Sequence, residues 1–279
     1  MKRFIFLLLA FLSLQVQGQI RSKKVFIGKI PCVIWTPANF DSSKVYPWVV
    51  ALHGAGEVSA DGSDAQLTSK IVNNYNFSNL LSRADRLGFL VVQPQLVLSL
   101  NEWMPGFRPA YINQAINYAL ANYKVDPQRM YMTGLSMGGG ACWEYVTSSI
   151  ENANRVAALI PICGTWISGD WRFIGSSNIP VWAFHAADDE TVSVKATQQA
   201  ISNIKASAAK PEPRYTEYAK GGHAVWGTAY GTDALYTWML SQTNSNIVPD
   251  PTPQPVPFKP THKIIRKDGG IDSVRIETL

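Results

Sequence analysis

Ser136 stands in Gly134-Leu135-Ser136-Met137-Gly138, between an apolar β-rich stretch ending at Thr133 and a helical one starting at Met137. A serine hydroxyl is a weak nucleophile until a base takes its proton. A strand, sharp turn and helix with small residues on both flanks exposes it at the end of a sheet. The helix start also brings a backbone N–H beside it, where the helix dipole favours the negative charge of an attacked carbonyl. The chemistry this pattern predicts is acyl transfer through an acyl-serine, with no metal and no cofactor.

Such a serine needs a base and a group to orient that base, arranged along the chain in the order acid, then histidine. Of the four histidines, His53 and His185 end strands upstream of where the base belongs, and His262 lies beyond a proline-rich stretch. His223 sits in Lys220-Gly221-Gly222-His223-Ala224-Val225-Trp226, a glycine-hinged loop between the last strand and the last helix, and is the expected base. Asp188 and Asp189 come just after the strand that ends at Ala186. One should orient the imidazole and the other cap a helix starting near Thr191, and the residues themselves do not separate the two. Donors for the developing oxyanion are expected from the backbone N–H of Met137 and of Ala55, in Leu52-His53-Gly54-Ala55-Gly56-Glu57, with Gly56 as the alternative to Ala55. His53 and Glu57 are read as fixing that turn rather than reacting.

Positioning these groups takes alternating strands and helices. Strands are expected over 25–35 (an antiparallel pair), 48–52, 89–93, 129–133, 156–162, 181–186 and 214–218, and helices over 78–87, 110–123, 137–148, 191–208 and 232–240. In the second helix Ile112, Ala115, Ile116, Ala119 and Leu120 share a face, and Asp126-Pro127 keeps the helix from continuing. This order builds a mainly parallel sheet flanked by helices.

Length and composition agree. The chain of 279 residues is 46% hydrophobic and 16% charged, enough to bury a large core. Lys2-Arg3, an apolar run from Phe4 to Leu14 and small residues to Gly18 read as a signal peptide over 1–18, too short to span a bilayer. A secreted or periplasmic protein is therefore expected, with no membrane attachment after cleavage. Losing Lys2 and Arg3 lowers the formal charge from +5 to +3, and the dispersed basic residues indicate no nucleic-acid partner; no partner protein is assigned. Cys32, Cys142 and Cys163 lack zinc spacing and admit either three buried thiols or one disulfide. The catalytic domain is expected over 19–243, a stiff Pro-rich linker over 244–261, and a short tail over 262–279 with a hairpin at Asp268-Gly269-Gly270.

The segments 52–57, 125–127 with 134–139, the strand ending Trp182-Ala183-Phe184-His185, and 222–226 resemble one branch of the α/β-hydrolase superfamily of serine esterases. That branch holds dienelactone-hydrolase-like proteins, feruloyl and acetylxylan esterases (carbohydrate esterase family 1) and polyhydroxybutyrate depolymerases. The resemblance spans about residues 25 to 242. It implies a single α/β-hydrolase domain with a sheet of about eight strands, and it selects Asp189 as the acid: the branch's acid lies four residues after the strand-ending histidine, ahead of Val192 and Val194. Ala186, where relatives carry glycine, and the longer segment Val58-Ser59-Ala60-Asp61-Gly62 depart from the pattern. Trp103, Trp143, Trp166, Trp171 and Trp226 fall near the expected strand ends and suit stacking on sugars or packing in the core; packing is favoured for Trp143. An ester of a plant polysaccharide is the expected substrate. Its rivals are a small ester or polyester, a peptide bond, and a non-catalytic carbohydrate-binding module.

Overall fold

In β3 (Tyr46–Leu52) Trp48, Val50 and Leu52 point to one side of the strand and Val49 and Ala51 to the other, and all five are buried. A strand that is apolar on both faces needs a helical layer above and below it. The computed structural model, which describes residues 19–98 and 106–247, supplies both layers. Trp103, the expected leader 1–18, most of the expected linker and the C-terminal tail with its expected hairpin lie outside the described residues.

The chain runs β1 (Arg21–Ile27), β2 (Ile30–Thr36), β3, α1 (Asp64–Leu67) continuing as a π turn over Thr68–Val72, α2 (Ser78–Leu87) and β4 (Leu90–Pro94). Next come α3 (Pro109–Asn122), β5 (Val125–Leu135), α4 (Met137–Ser148), α5 (Ile150–Ala153), β6 (Ala158–Ile162) and α6 (Arg172–Ser177). β7 (Trp182–Ala186), α7 (Lys195–Ala206), β8 (Arg214–Tyr218), α8 (Trp226–Gly231) and α9 (Asp233–Leu240) complete it. The eight strands form one sheet in the order β1-β2-β4-β3-β5-β6-β7-β8. β2 pairs antiparallel with β1 and β4, and every other neighbour is parallel. This is the mainly parallel, helix-flanked sheet expected.

Residues of α3, α4 and α7 cover the face carrying Trp48, Val50 and Val92. Those of α2, α8 and α9 cover the face carrying Val49, Ala51 and Val91. Burying such side chains contributes roughly 25 cal/mol per Å² of apolar surface, and it holds the carboxyl ends of β3, β5, β6, β7 and β8 in one row.

Several boundaries differ from expectation. β5 starts at Val125, and the pairing jumps from Tyr46↔Val125 to Trp48↔Met130. The intervening residues bulge, because Pro127 has no N–H for the ladder. α7 starts at Lys195 and not near Thr191, because the N–H groups of Thr191 and Val192 turn instead onto the carboxylate of Asp189. The short helices α1, α5, α6 and α8 were not expected; each has only 4 to 6 residues, too few for a helical period. Residues 58–62 are pinned beside the end of β4: Ser59 donates its N–H to Leu96 O at 2.8 Å and its carbonyl accepts from Leu98 N–H at 2.9 Å. The first linker residues are docked as well. Asn244 donates its N–H to Gln128 O at 2.9 Å and its side-chain amide to Asn154 O at 2.6 Å.

Candidate active site

Ser136 comes directly after the last residue of β5 and caps α4 with φ 54° and ψ −118°. A non-glycine residue with this backbone costs of order 1–3 kcal/mol and persists only where its surroundings over-determine it. Here its N–H donates to Ile162 O and its carbonyl accepts from Gly140 N–H, both at 3.0 Å. The flanking glycines are there for lack of room. A Cβ on Gly134 would sit 2.3 Å from Gly138 O, and one on Gly138 would sit 2.0 Å from Leu52 O. The elbow thus packs directly on the end of β3, which carries the next part of the site.

Ser136 Oγ lies 2.8 Å from His223 Nε2, and His223 Nδ1 lies 2.7 Å from Asp189 Oδ2. Since a carboxylate only accepts, Nδ1 carries the hydrogen, and Nε2 is left to accept from the serine hydroxyl. The structure therefore brings Ser136, His223 and Asp189 into one hydrogen-bonded row from the ends of β5, β8 and β7. Asp189 is buried and holds more than the imidazole. Oδ1 accepts the N–H groups of Thr191 and Val192, both at 2.9 Å, and Oδ2 also accepts His185 Nε2–H at 3.0 Å. Burial raises the Asp189 carboxyl, but the bonds from His223, Val192 and Thr191 outweigh it and hold the group below its ordinary range.

The expected division of labour between the two acids is not what the structure holds. Asp189 both faces the imidazole and collects the N–H groups of the next turn. Asp188 is exposed and accepts Gly221 N–H at 3.2 Å and Gly222 N–H at 2.8 Å. These two glycines have φ +146° and +60° and swing the loop that delivers His223. Asp188 thus anchors the loop of His223 from the chain side, a role that side-chain types alone do not announce.

At the end of β3, Gly54, Ala55 and Gly56 enter a short 3-10 turn over Ala55–Glu57. His53 is fully buried; its Nδ1–H donates to Gly54 O at 2.6 Å and its Nε2 accepts Leu96 N–H at 2.9 Å. Burial pulls this imidazole down to about 4. Glu57 is buried too, with Oε1 accepting the amides of Asn76 at 2.7 Å and Asn74 at 3.1 Å. Asn76 Oδ1 then accepts Trp226 Nε1–H at 3.1 Å, and the Trp226 ring stands edge-on to His223 at 5.6 Å. Glu57, Asn76 and Trp226 so connect the turn after β3 with the loop of His223. The N–H of Met137 opens α4 and that of Ala55 opens the 3-10 turn, positions at which no earlier residue of the helix accepts it.

Two further residues crowd the site without belonging to the expected set. His185 is fully buried, accepts Thr197 Oγ1–H at Nδ1 at 2.8 Å, and steadies Asp189 from behind. Its signal in the sequence is its spacing of four from Asp189. Cys163 comes directly after β6 with φ 40°, and its Sγ lies with the ligating atoms of Asp189 and His223 within 4.8 Å of one another. Burial pushes this thiol up to about 12, and the other two groups of the trio are joined to each other at 2.7 Å. All three cysteines are buried and free. Of the tryptophans, Trp143 is buried against Trp171, Trp226 abuts His223, and Trp166 is 57% exposed.

No protein-family model matches the chain. A bifunctional acetylxylan esterase/xylanase of Neocallimastix patriciarum is 23% identical over 176 residues, which is 62% of this chain and 23% of that protein. Among solved structures, a thermostable esterase superposes with a TM-score of 0.63 at 27% identity, covering 81% of this chain and 63% of that one. A ferulic acid esterase superposes with a TM-score of 0.57 at 15% identity, covering 80% of this chain and 96% of that one. The chain thus spans under a quarter of the curated relative and under two thirds of the thermostable esterase. With its serine elbow after β5 and its strand order, this chain has the α/β-hydrolase fold; the relatives named above are esterases, and an acylaminoacyl peptidase superposes on the same fold with a TM-score of 0.58 at 13% identity, covering 82% of this chain and 42% of that one.

Proposed function

We propose that the chain is a serine carboxylic ester hydrolase with Ser136 as nucleophile, His223 as base and Asp189 as the group that orients it. The observation that carries the reading is the unbroken row Ser136 Oγ, His223 Nε2, His223 Nδ1, Asp189 Oδ2 at 2.8 and 2.7 Å. His223 Nε2 takes the hydroxyl proton as Oγ attacks the ester carbonyl. The N–H groups of Met137 and Ala55 stabilise the oxyanion. His223 then gives the proton to the leaving alcohol, and the acyl-serine forms. In the second half, His223 removes a proton from water as the water oxygen attacks the acyl carbon; the acyl–Oγ bond then breaks, His223 returns the proton to Ser136 Oγ, and the acid is freed.

The substrate proposed is an ester of a plant polysaccharide, acetyl or feruloyl, supported by the likeness to an acetylxylan esterase/xylanase and a ferulic acid esterase. Export through the leader over 1–18 would place the enzyme where such polymers are. Among the described residues no helix is long and apolar enough to cross a membrane.

The test is labelling with a fluorophosphonate, wild type beside Ser136→Ala, then release of acetate and ferulate from xylan by the same samples. Labelling of wild type alone with release of either acid is expected, and Ser136→Ala should lose about 10³-fold or more in rate. Labelling without release would remove the polysaccharide and keep the hydrolase. No labelling would remove the nucleophile.

A further inference from the structure

Asn76 takes no part in the proposed chemistry, yet its side chain reaches both halves of the site. Its Nδ2–H donates to Glu57 Oε1 at 2.7 Å, and its Oδ1 accepts Trp226 Nε1–H at 3.1 Å. Glu57 closes the 3-10 turn that opens with Ala55, the proposed oxyanion donor. Trp226 opens α8 just after the proposed base, and its ring stands edge-on to the His223 imidazole at 5.6 Å. These two partners narrow the choice of side chain. A carboxylate only accepts and an indole N–H only donates, so the group between them must donate at one end and accept at the other. The amide of asparagine does both. An aspartate there would set two carboxylates 2.7 Å apart, and a leucine would leave buried Glu57 with only the longer bond from Asn74, at 3.1 Å. Asn76 is itself aimed, since its backbone N–H donates to Asn74 Oδ1 at 2.7 Å.

We propose that Asn76 is a positioning residue for this reaction, tying the oxyanion turn to the loop of the base so that both keep their places while the ester carbonyl is attacked. The role rests on the hydrolase reading of the same site. His223 is bonded at its two ring nitrogens, to Ser136 and to Asp189, which fixes the imidazole along one line; the Trp226 ring limits its rotation about that line. Asn76 holds the indole in that place from one side of the amide and holds Glu57, and with it the turn of Ala55, from the other. Neither the oxyanion nor the moving proton touches Asn76, so its loss acts through Ala55 and His223. Small displacements of donor and base slow the chemical step while leaving the bound ester its contacts, so kcat falls and KM stays.

The test is steady-state hydrolysis of 4-nitrophenyl acetate by wild type, Asn76→Leu, Trp226→Phe and the double variant, with kcat counted per serine labelled by a fluorophosphonate so that unfolded protein does not enter. Trp226→Phe keeps a ring beside His223 and removes the N–H. Asn79→Ala is the comparison: Asn79 Nδ2–H donates to Gly227 O at 2.8 Å, joining the same two segments without touching Glu57 or the indole. Asn76→Leu should lower kcat about tenfold with KM within about threefold of wild type, and Trp226→Phe should do much the same. The double variant should match the worse single one, because both changes remove one link. Asn79→Ala should keep kcat within about threefold of wild type. An Asn76→Leu kcat within about threefold of wild type, losses that multiply in the double variant, or an equal loss in Asn79→Ala would overturn the role. If Asn76→Leu labels no serine, Trp226→Phe decides by the same threshold. Wild type that neither labels nor turns over would overturn the hydrolase and the role of Asn76 with it; wild type that does both, beside unaffected variants, would overturn the role of Asn76 alone.

Discussion

At the scale of single residues, the row from Ser136 to Asp189 depends on a carboxylate with every lone pair in use. Replacing Asp189 by Asn keeps the shape but puts an NH₂ where His223 Nδ1–H donates, which favours the wrong imidazole tautomer. A loss of 10²-fold or more in kcat is expected, with about 1–3 kcal/mol of stability lost where the buried amide N–H faces His185 Nε2–H. A kcat within threefold of wild type would make Asp189 structural only. Asp188 acts differently, since it holds the glycines ahead of His223 rather than the ring. Asp188→Ala should slow turnover less than Asp189→Asn does, and steady-state kinetics on one ester ranks the two.

His53 carries a pH dependence of stability. Its folded value is about 4 against an ordinary 6.5, because burial disfavours the charged ring. Between those two values the unfolded chain takes up a proton that the folded one refuses. Stability is therefore fully present above about pH 6.5 and falls as the pH drops towards 4, by on the order of 3 kcal/mol in all. Urea unfolding at pH 7 and pH 5 should show the fall, and His53→Gln should flatten it. An equal slope in the variant would assign it to other groups.

At the scale of elements, the elbow between β5 and α4 works because helix and sheet touch through backbone. Gly138→Ala would press its Cβ to 2.0 Å from Leu52 O, whereas a Cβ on Gly56 meets nothing within 4 Å. Gly138→Ala should cost several kcal/mol or prevent folding, and Gly56→Ala should stay within about 0.5 kcal/mol of wild type. Thermal unfolding compares them, and a stable Gly138→Ala protein would refute the close packing. The same closeness explains the rest of the glycine run after Ser136: a Cβ on Gly139 would meet Ile162 O at 2.6 Å, and one on Gly140 would meet Thr165 Oγ1 at 2.0 Å.

At the scale of the molecule, residues past the composition change after Gln242 are tied to the domain by hydrogen bonds. Asn244 bonds to Gln128 and Asn154, Gln128 reaches Ile247 O at 2.8 Å, and Asn246 donates to Ser177 O at 2.8 Å. Of two shortened chains, the one ending at 243 should be less stable than the one ending at 247 by roughly 4 kcal/mol, near 1 kcal/mol for each of these four hydrogen bonds. Equal midpoints for the two would show those bonds to be dispensable.

The alternation of apolar runs with helical stretches determined the layered sheet, because strands buried on both faces read as continuous hydrophobic runs. The Gly-x-Ser-x-Gly spacing and the scarcity of histidines singled out Ser136 and His223 as the candidate nucleophile and base, since few residue types can do that chemistry, and the two side chains lie 2.8 Å apart. The tertiary structure alone decided the rest. Neighbouring Asp188 and Asp189 differ only through what each meets, and their partners at 185, 191–192 and 221–223 come from separate segments. The link from Glu57 through Asn76 to Trp226 spans 169 residues. Hydrogen bonds between distant segments leave no period in the chain, so only the folded molecule holds them.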